Sequence, residues 1–209
     1  MGTSSARRAP TTWFWRRAKG AATRYLSPPG GAGLEAREVV ARYLAALEEN
    51  AGSGNPDLLA AFRLTRKAAQ NLGAFAALAA PREKDAAPAL AGKLLEPDGS
   101  LEGAVARSSL AAVLRDLGGS EDAAPAKIAT RFLAESLYQR LVLDLGEPLE
   151  AASLSFSHWR HGLEGLQEWI TRAAQAEPHE PPTPEQWRGL AGWIWVTRTL
   201  EKMLGRLQG

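Results

Sequence analysis

The chain has 209 residues, enough for one sizeable hydrophobic core or two small ones. Its 45% hydrophobic and 23% charged content is that of an ordinary globular protein, and the lack of cysteine excludes disulfides, thiolate metal ligands, iron–sulfur clusters and cysteine nucleophiles. The net charge of +2 is unevenly spread: residues 1–34 carry six cations and no acid, residues 147–185 carry seven acids against Arg160 and Arg172, and residues 186–209 carry four cations against Glu201.

Residues 1–12 are small, polar and basic and read as disordered. Thr12 is placed to cap a short helix from Trp13 to Leu26, with Trp13, Ala21, Tyr25 and Leu26 roughly on one side and arginines around them. An arginine-rich, acid-free segment of this kind also suits an interfacial membrane helix or a transit peptide. No apolar core follows the arginines, as a secretory signal requires, and Ala6 breaks the myristoylation pattern. The run Pro28-Pro29-Gly30-Gly31 marks a boundary. Residues 1–34 are thus a basic arm and linker, and residues 35–209 a helical bundle.

Alanine and leucine dominate the remainder, which favours helix over strand. A helix from Glu35 to Glu49 points Val40, Tyr43, Leu44 and Leu47 inward, and Asn55-Pro56 restarts a helix running to Ala79, with Gly73 weakening its middle. Pro81, Pro88 and Pro97 leave room for one short helix from Ala89 to Leu95, and Ser100 caps another to Leu117. The clearest helix is Ala126–Leu145, where Ile128, Phe132, Leu133, Leu137, Leu141 and Leu145 form one stripe and Gly146 with Pro148 reads as the stop. A helix over Ser157–Ala176 places Trp159, Leu163, Leu166 and Ile170 on one face. After the helix-hostile run Glu177–Pro182, Thr183-Pro184-Glu185-Gln186 has the form of a capping box opening a last helix to Leu207, which buries some set of Leu190, Ile194, Leu200, Met203, Leu204 and Leu207. These last two helices, spanning 157–208, each carry a Gly-x-x-Gly step (Gly162/Gly165 and Gly189/Gly192) and are expected to form an antiparallel hairpin crossing there.

Few residues suggest chemistry. Gly31-Ala32-Gly33-Leu34-Glu35-Ala36 matches G-x-G-x-x-A, but no strand delivers the first glycine, so it reads as linker. His158 and His161 lie three apart with Glu164 and Glu168 along the same side, a spacing that reads as surface histidines in the absence of H-E-x-x-H. No nucleophile elbow, phosphate loop or calcium loop is present, so neither a catalytic site nor a metal or other cofactor is expected.

Tryptophan is the anomaly: seven occur, five of them from Trp159 onward. Trp193 and Trp195 cannot both face inward with Ile194, because successive helical residues are about 100° apart. Trp195, Arg198, Lys202 and Arg206 fall on one stripe, an aromatic beside a basic row that suits either a protein interface or stacking and phosphate pairing with nucleic acid. Arg188, and Trp13 with Arg16 and Arg17 at the other end of the chain, join this candidate set.

The sequence therefore predicts an all-α bundle of about six to eight helices with a basic, partly disordered N-terminal arm. Its predicted role is that of a non-enzymatic, cytoplasmic subunit or adaptor of a larger assembly, binding protein partners, with a nucleic-acid backbone as a second candidate partner. Small helical subunits of ribonucleoprotein effector complexes have this general character, an analogy of fold with no matching motif. The alternative is a peripheral membrane or organelle-targeted protein using residues 13–26. A metal-dependent enzyme using the His158/His161 face ranks last.

Overall fold

A computed structural model describes residues 12–27, 34–50, 68, 70–74, 87–97, 99–117, 124–175 and 180–209. Every regular element among the described residues is a helix, with no strand among them. In chain order they form α1 (Trp13–Tyr25), α2 (Ala36–Asn50), a helical stretch at 70–74, α3 (Ala87–Leu94), α4 (Leu101–Leu117), α5 (Pro125–Ala152), α6 (Phe156–Gln175), a 3₁₀ turn (Gln186–Arg188) and α7 (Leu190–Gln208). The expectations for residues 1–11, for the linker glycines 30–33, for the Asn55-Pro56 helix start and for most of the helix to Ala79 lie outside the described residues.

Contacts divide the chain into two compact units. The first is built from α1, α2, the part of α5 from Leu141 onward and the part of α6 up to Leu166. The second holds α3, α4, the part of α5 up to Arg140, the part of α6 from Gln167, the 3₁₀ turn and α7 through Leu207.

In the first unit α1 packs against α2. Its buried face is Trp15, Ala18, Ala21, Ala22 and Leu26. Of the face expected from the sequence, Ala21 and Leu26 are buried and Tyr25 is half-buried, but Trp13 is 53% exposed and Trp15 takes its place. The reason is the three- and four-residue spacing of small residues behind Trp15, which brings α2 close enough for Tyr43 to meet the Trp15 ring edge-on at 6.0 Å. Thr12 stands at the N-terminus of α1, but its hydroxyl donates to the Glu49 carboxylate instead of capping the helix. Tyr43 also donates to Asp144 Oδ2 on α5 at 2.8 Å.

Gly146 and Pro148 do not stop α5, which runs on to Ala152 with Pro148 inside it. Pro148 supplies no N–H to the Asp144 carbonyl, and an internal proline costs about 3 kcal/mol. Beyond it Leu149 extends the apolar row of Leu141 and Leu145 by one more turn, and all three are fully buried. Burying a leucine contributes about 1.5–3 kcal/mol, close to what the proline removes. The glycine is likewise held in helix by the residues on both sides of it.

The glycines of α6 have a different partner from the one their spacing suggests. An added Cβ at Gly162 would lie 2.3 Å from Leu26 Cδ2, and one at Gly165 would lie 2.6 Å from the Tyr25 hydroxyl. They admit the C-terminal end of α1, where Tyr25 donates to the Gly162 carbonyl at 3.0 Å, rather than a crossing with α7. Burial raises the pKa of the Tyr25 phenol above its ordinary value.

In the second unit α3 packs on α4 across a turn in which Gly99 takes φ 70°, a left-handed conformation suited to glycine. Ser100 accepts from the Gly103 amide at 2.9 Å, the cap expected of it. Along α5, Ile128, Phe132, Leu133 and Leu137 are buried as their spacing predicts. Glu135 on its flank accepts from Gln139 at 2.9 Å and from Gln167 of α6 at 3.0 Å. On the opposite flank Arg140 pairs with Glu102 of α4 at 2.8 Å.

Candidate functional site

The last helix begins later than the capping box implies. Thr183 and Gln186 do interact, the Thr183 amide donating to Gln186 Oε1 at 2.9 Å, but they organise only the 3₁₀ turn. Gly189 is extended, with φ −115° and ψ −162°, and α7 starts at Leu190. Beside this turn, Glu185 accepts from the Thr183 hydroxyl at 2.9 Å. Backbone hydrogen bonding first, and then that hydroxyl, holds the Glu185 carboxyl below its ordinary pKa.

The short turn buries Trp187, which is 1% exposed and sits between two glycines. A Cβ at Gly73 would stand 2.3 Å from Trp187 Cβ, and one at Gly192 would stand 2.6 Å from the Trp187 carbonyl oxygen. Gly73, which weakens its own helix, thus makes room for an indole. Trp195 packs on the same indole, with ring centroids 5.2 Å apart and planes at 61°.

That packing changes the candidate stripe on α7. Trp195 is only 4% exposed and is part of the core, so it is not the outward aromatic that the basic row required. Gly192, Trp195, Val196, Leu200, Met203 and Leu207 form the inward face. Leu190 and Ile194, expected among the buried residues, are 55% and 40% exposed because they lie off that face. Arg198, Lys202 and Arg188 are exposed, whereas Arg206 is half-buried and donates to the Ala173 carbonyl at 3.1 Å. Ile194 and Arg198 line one side of a groove of ≈ 600 Å³ whose other wall is the extended segment Glu180–Thr183.

The N-terminal candidates fare differently. On α1, Trp13, Arg16, Arg17 and Arg24 are exposed and Lys19 is half-buried. The Arg17 guanidinium lies 4.5 Å from the Trp13 ring centroid, and Phe14 meets that ring edge-on at 4.9 Å. Arg24 Nε donates to the Gly20 carbonyl at 3.3 Å.

A third surface was not singled out by sequence reasoning. At the turn between α5 and α6, Leu154 is 66% and Phe156 72% exposed, and the Phe156 ring lies 5.6 Å from that of Trp159. With Glu150, Ser153 and Ser155 they line a pocket of ≈ 390 Å³. Glu147 and Glu150, on the last turns of α5, are exposed next to it. Two large apolar residues bracketing a serine, outside any helical stripe, were the available signal.

His158 is occupied locally. Its Nδ1 accepts from the Leu154 amide at 3.2 Å, and its own amide donates to Ser155 Oγ at 3.2 Å, so it closes the start of α6. Glu164 pairs with Arg160, and Glu168 with Arg172. Among the described residues no group of three or more histidines and carboxylates is arranged to hold a metal ion. Nor is any helix among them long and apolar enough to cross a membrane. Set against known protein families, characterised proteins and solved structures, the chain matches none.

Proposed function

We propose that the chain is a non-enzymatic helical adaptor or subunit that binds a protein partner through the turn between α5 and α6. The observation that carries this reading is the adjacent exposure of Leu154 and Phe156 over the Trp159 pocket. Single exposed apolar residues are ordinary, but a cluster of large ones around a concavity is where protein contacts form. Glu147 and Glu150 give the surface an acidic border. The complementary partner is a segment presenting apolar side chains next to lysine or arginine, with a nucleic-acid backbone as a second ligand elsewhere on the chain.

The peripheral membrane reading of residues 13–26 has less support, because an interfacial helix needs a free apolar face and α1 spends that face inside the first unit.

The test is affinity purification of the intact chain from its native cells, alongside a Leu154→Ser/Phe156→Ser variant and a Glu147→Lys/Glu150→Lys variant. A stoichiometric partner that both variants lose, with thermal stability unchanged, supports the proposal. A partner retained by both variants, or none at all, refutes it.

A further inference from the structure

The basic character at the start of the chain takes a specific form once α1 is folded. Four cations, Arg16, Arg17, Lys19 and Arg24, lie on one thirteen-residue helix that carries no acid. Apart from Trp13 and the half-buried Phe14 its large apolar residues are taken up by packing, and the outward residues are Trp13, Arg16, Arg17, Thr23 and Arg24, with the half-buried Gly20 between the arginines at three- and four-residue steps. The row from Arg16 to Arg24 is about 12 Å long, enough to meet more than one phosphate of a strand lying along it.

Gly20 lies in the middle of that row. A glycine inside a helix costs about 1 kcal/mol relative to alanine, and such a cost generally has a packing reason. Gly20 has none among the described residues, since an added Cβ would meet nothing of theirs within 4 Å. Gly92, Gly146 and Gly205 are equally open, but Gly20 has Arg16, Arg17 and Arg24 at the three- and four-residue positions on its two sides, and Gly73, Gly162 and Gly192 each admit a neighbour. A notch flanked by arginines, with an exposed indole at its end, lets a sugar–phosphate backbone approach the helix while a base stacks on the indole. A bilayer offers the phosphates but requires an apolar face that α1 no longer presents. The stripe on α7 competes poorly, because its tryptophan is buried and Arg206 is half-buried, whereas Trp13 and Arg24 are exposed.

We propose that the outward face of α1, Trp13, Arg16, Arg17, Gly20 and Arg24, binds single-stranded nucleic acid, the cations holding phosphates, Trp13 stacking on a base and Gly20 giving the backbone its approach. This rests on the adaptor reading only for the idea of a second, nucleic-acid partner. It uses residues remote in sequence from the Leu154/Phe156 turn.

The experiment is fluorescence anisotropy of the full chain with labelled oligodeoxythymidylate and oligouridylate across a salt series. Wild-type binding should weaken linearly in log salt, and Arg16→Ala/Arg17→Ala/Arg24→Ala should flatten the slope by about 2 and lower affinity at least tenfold. Trp13→Ala should weaken binding by roughly tenfold. Gly20→Leu is the discriminating variant: it should keep or raise the Tm while weakening binding several-fold, which a general loss of structure cannot do. Binding indifferent to all these changes overturns the proposal, as does a chain that ignores the strands but binds phosphatidylserine vesicles or polyglutamate. The α1 variants should still capture the protein partner of the α5–α6 turn, so either reading can fail without the other.

Discussion

Replacing Gly192 with alanine tests whether the buried Trp187 turn fixes the start of α7. In an ordinary helix the change would be favourable by about 1 kcal/mol. Here the new methyl would stand 2.6 Å from the Trp187 carbonyl oxygen and 3.1 Å from its Cα and Cε3. The first contact is roughly 1 Å inside ordinary van der Waals separation. The obstacle is backbone rather than the tip of a flexible side chain, and Trp187 is 1% exposed with Trp195 packed on its ring, so it has little room to retreat. Overpacking of a fixed core site costs about 1–3 kcal/mol. The propensity gain offsets part of this, leaving a net loss of about 1–2 kcal/mol and a fall in Tm of about 2–8 °C. Gly205 is the control in the same helix: nothing lies within 4 Å of a Cβ there, so Gly205→Ala should hold or raise the Tm. Thermal and urea unfolding followed by tryptophan fluorescence reads both variants. If Gly192→Ala proves as stable as wild type or more so, the turn yields and the two glycines do not grip Trp187.

Two further predictions concern the first unit. Pro148→Ala returns an amide to the Asp144 carbonyl and should stabilise the chain by about 2–2.5 kcal/mol, the proline penalty of about 3 kcal/mol less the roughly 0.4–1 kcal/mol of entropy it removes from the unfolded chain, whereas Leu149→Ala should cost about 2–5 kcal/mol. A loss of urea stability in Pro148→Ala would mean that the packing of Leu149 depends on the proline. Tyr25 governs the alkaline limb: its folded pKa is raised by burial, so its contribution is fully present below the unfolded value near 10.0 and is lost as pH rises through the folded value. Tyr25→Phe should cost about 1 kcal/mol at neutral pH through the lost bond to Gly162, yet fall less steeply above pH ~10 in urea midpoints. Equal alkaline slopes in the two proteins would refute this role.

Composition and local pattern were enough to specify the class of the molecule and much of its local structure. Composition specified helix, the apolar stripe from Ile128 to Leu145 specified an inward face, and Ser100 specified a cap, because each depends on residues within one or two turns. The remainder depended on contacts between residues far apart in the chain. Whether Gly146 and Pro148 end α5 turned on the burial of Leu149, and whether Trp195 faces water turned on Trp187 lying beneath it. The glycines of α6 found Tyr25 and Leu26, residues that no periodicity links to them. The candidate surfaces followed the same rule. Their cations could be read from the sequence, but which aromatic stands with them could not: Trp13 remains outward because Trp15 takes the contact with Tyr43, and Trp195 is lost from the α7 row to the core. A local pattern fixes that a helix has two faces; only the partner supplied by distant chain fixes which face is buried.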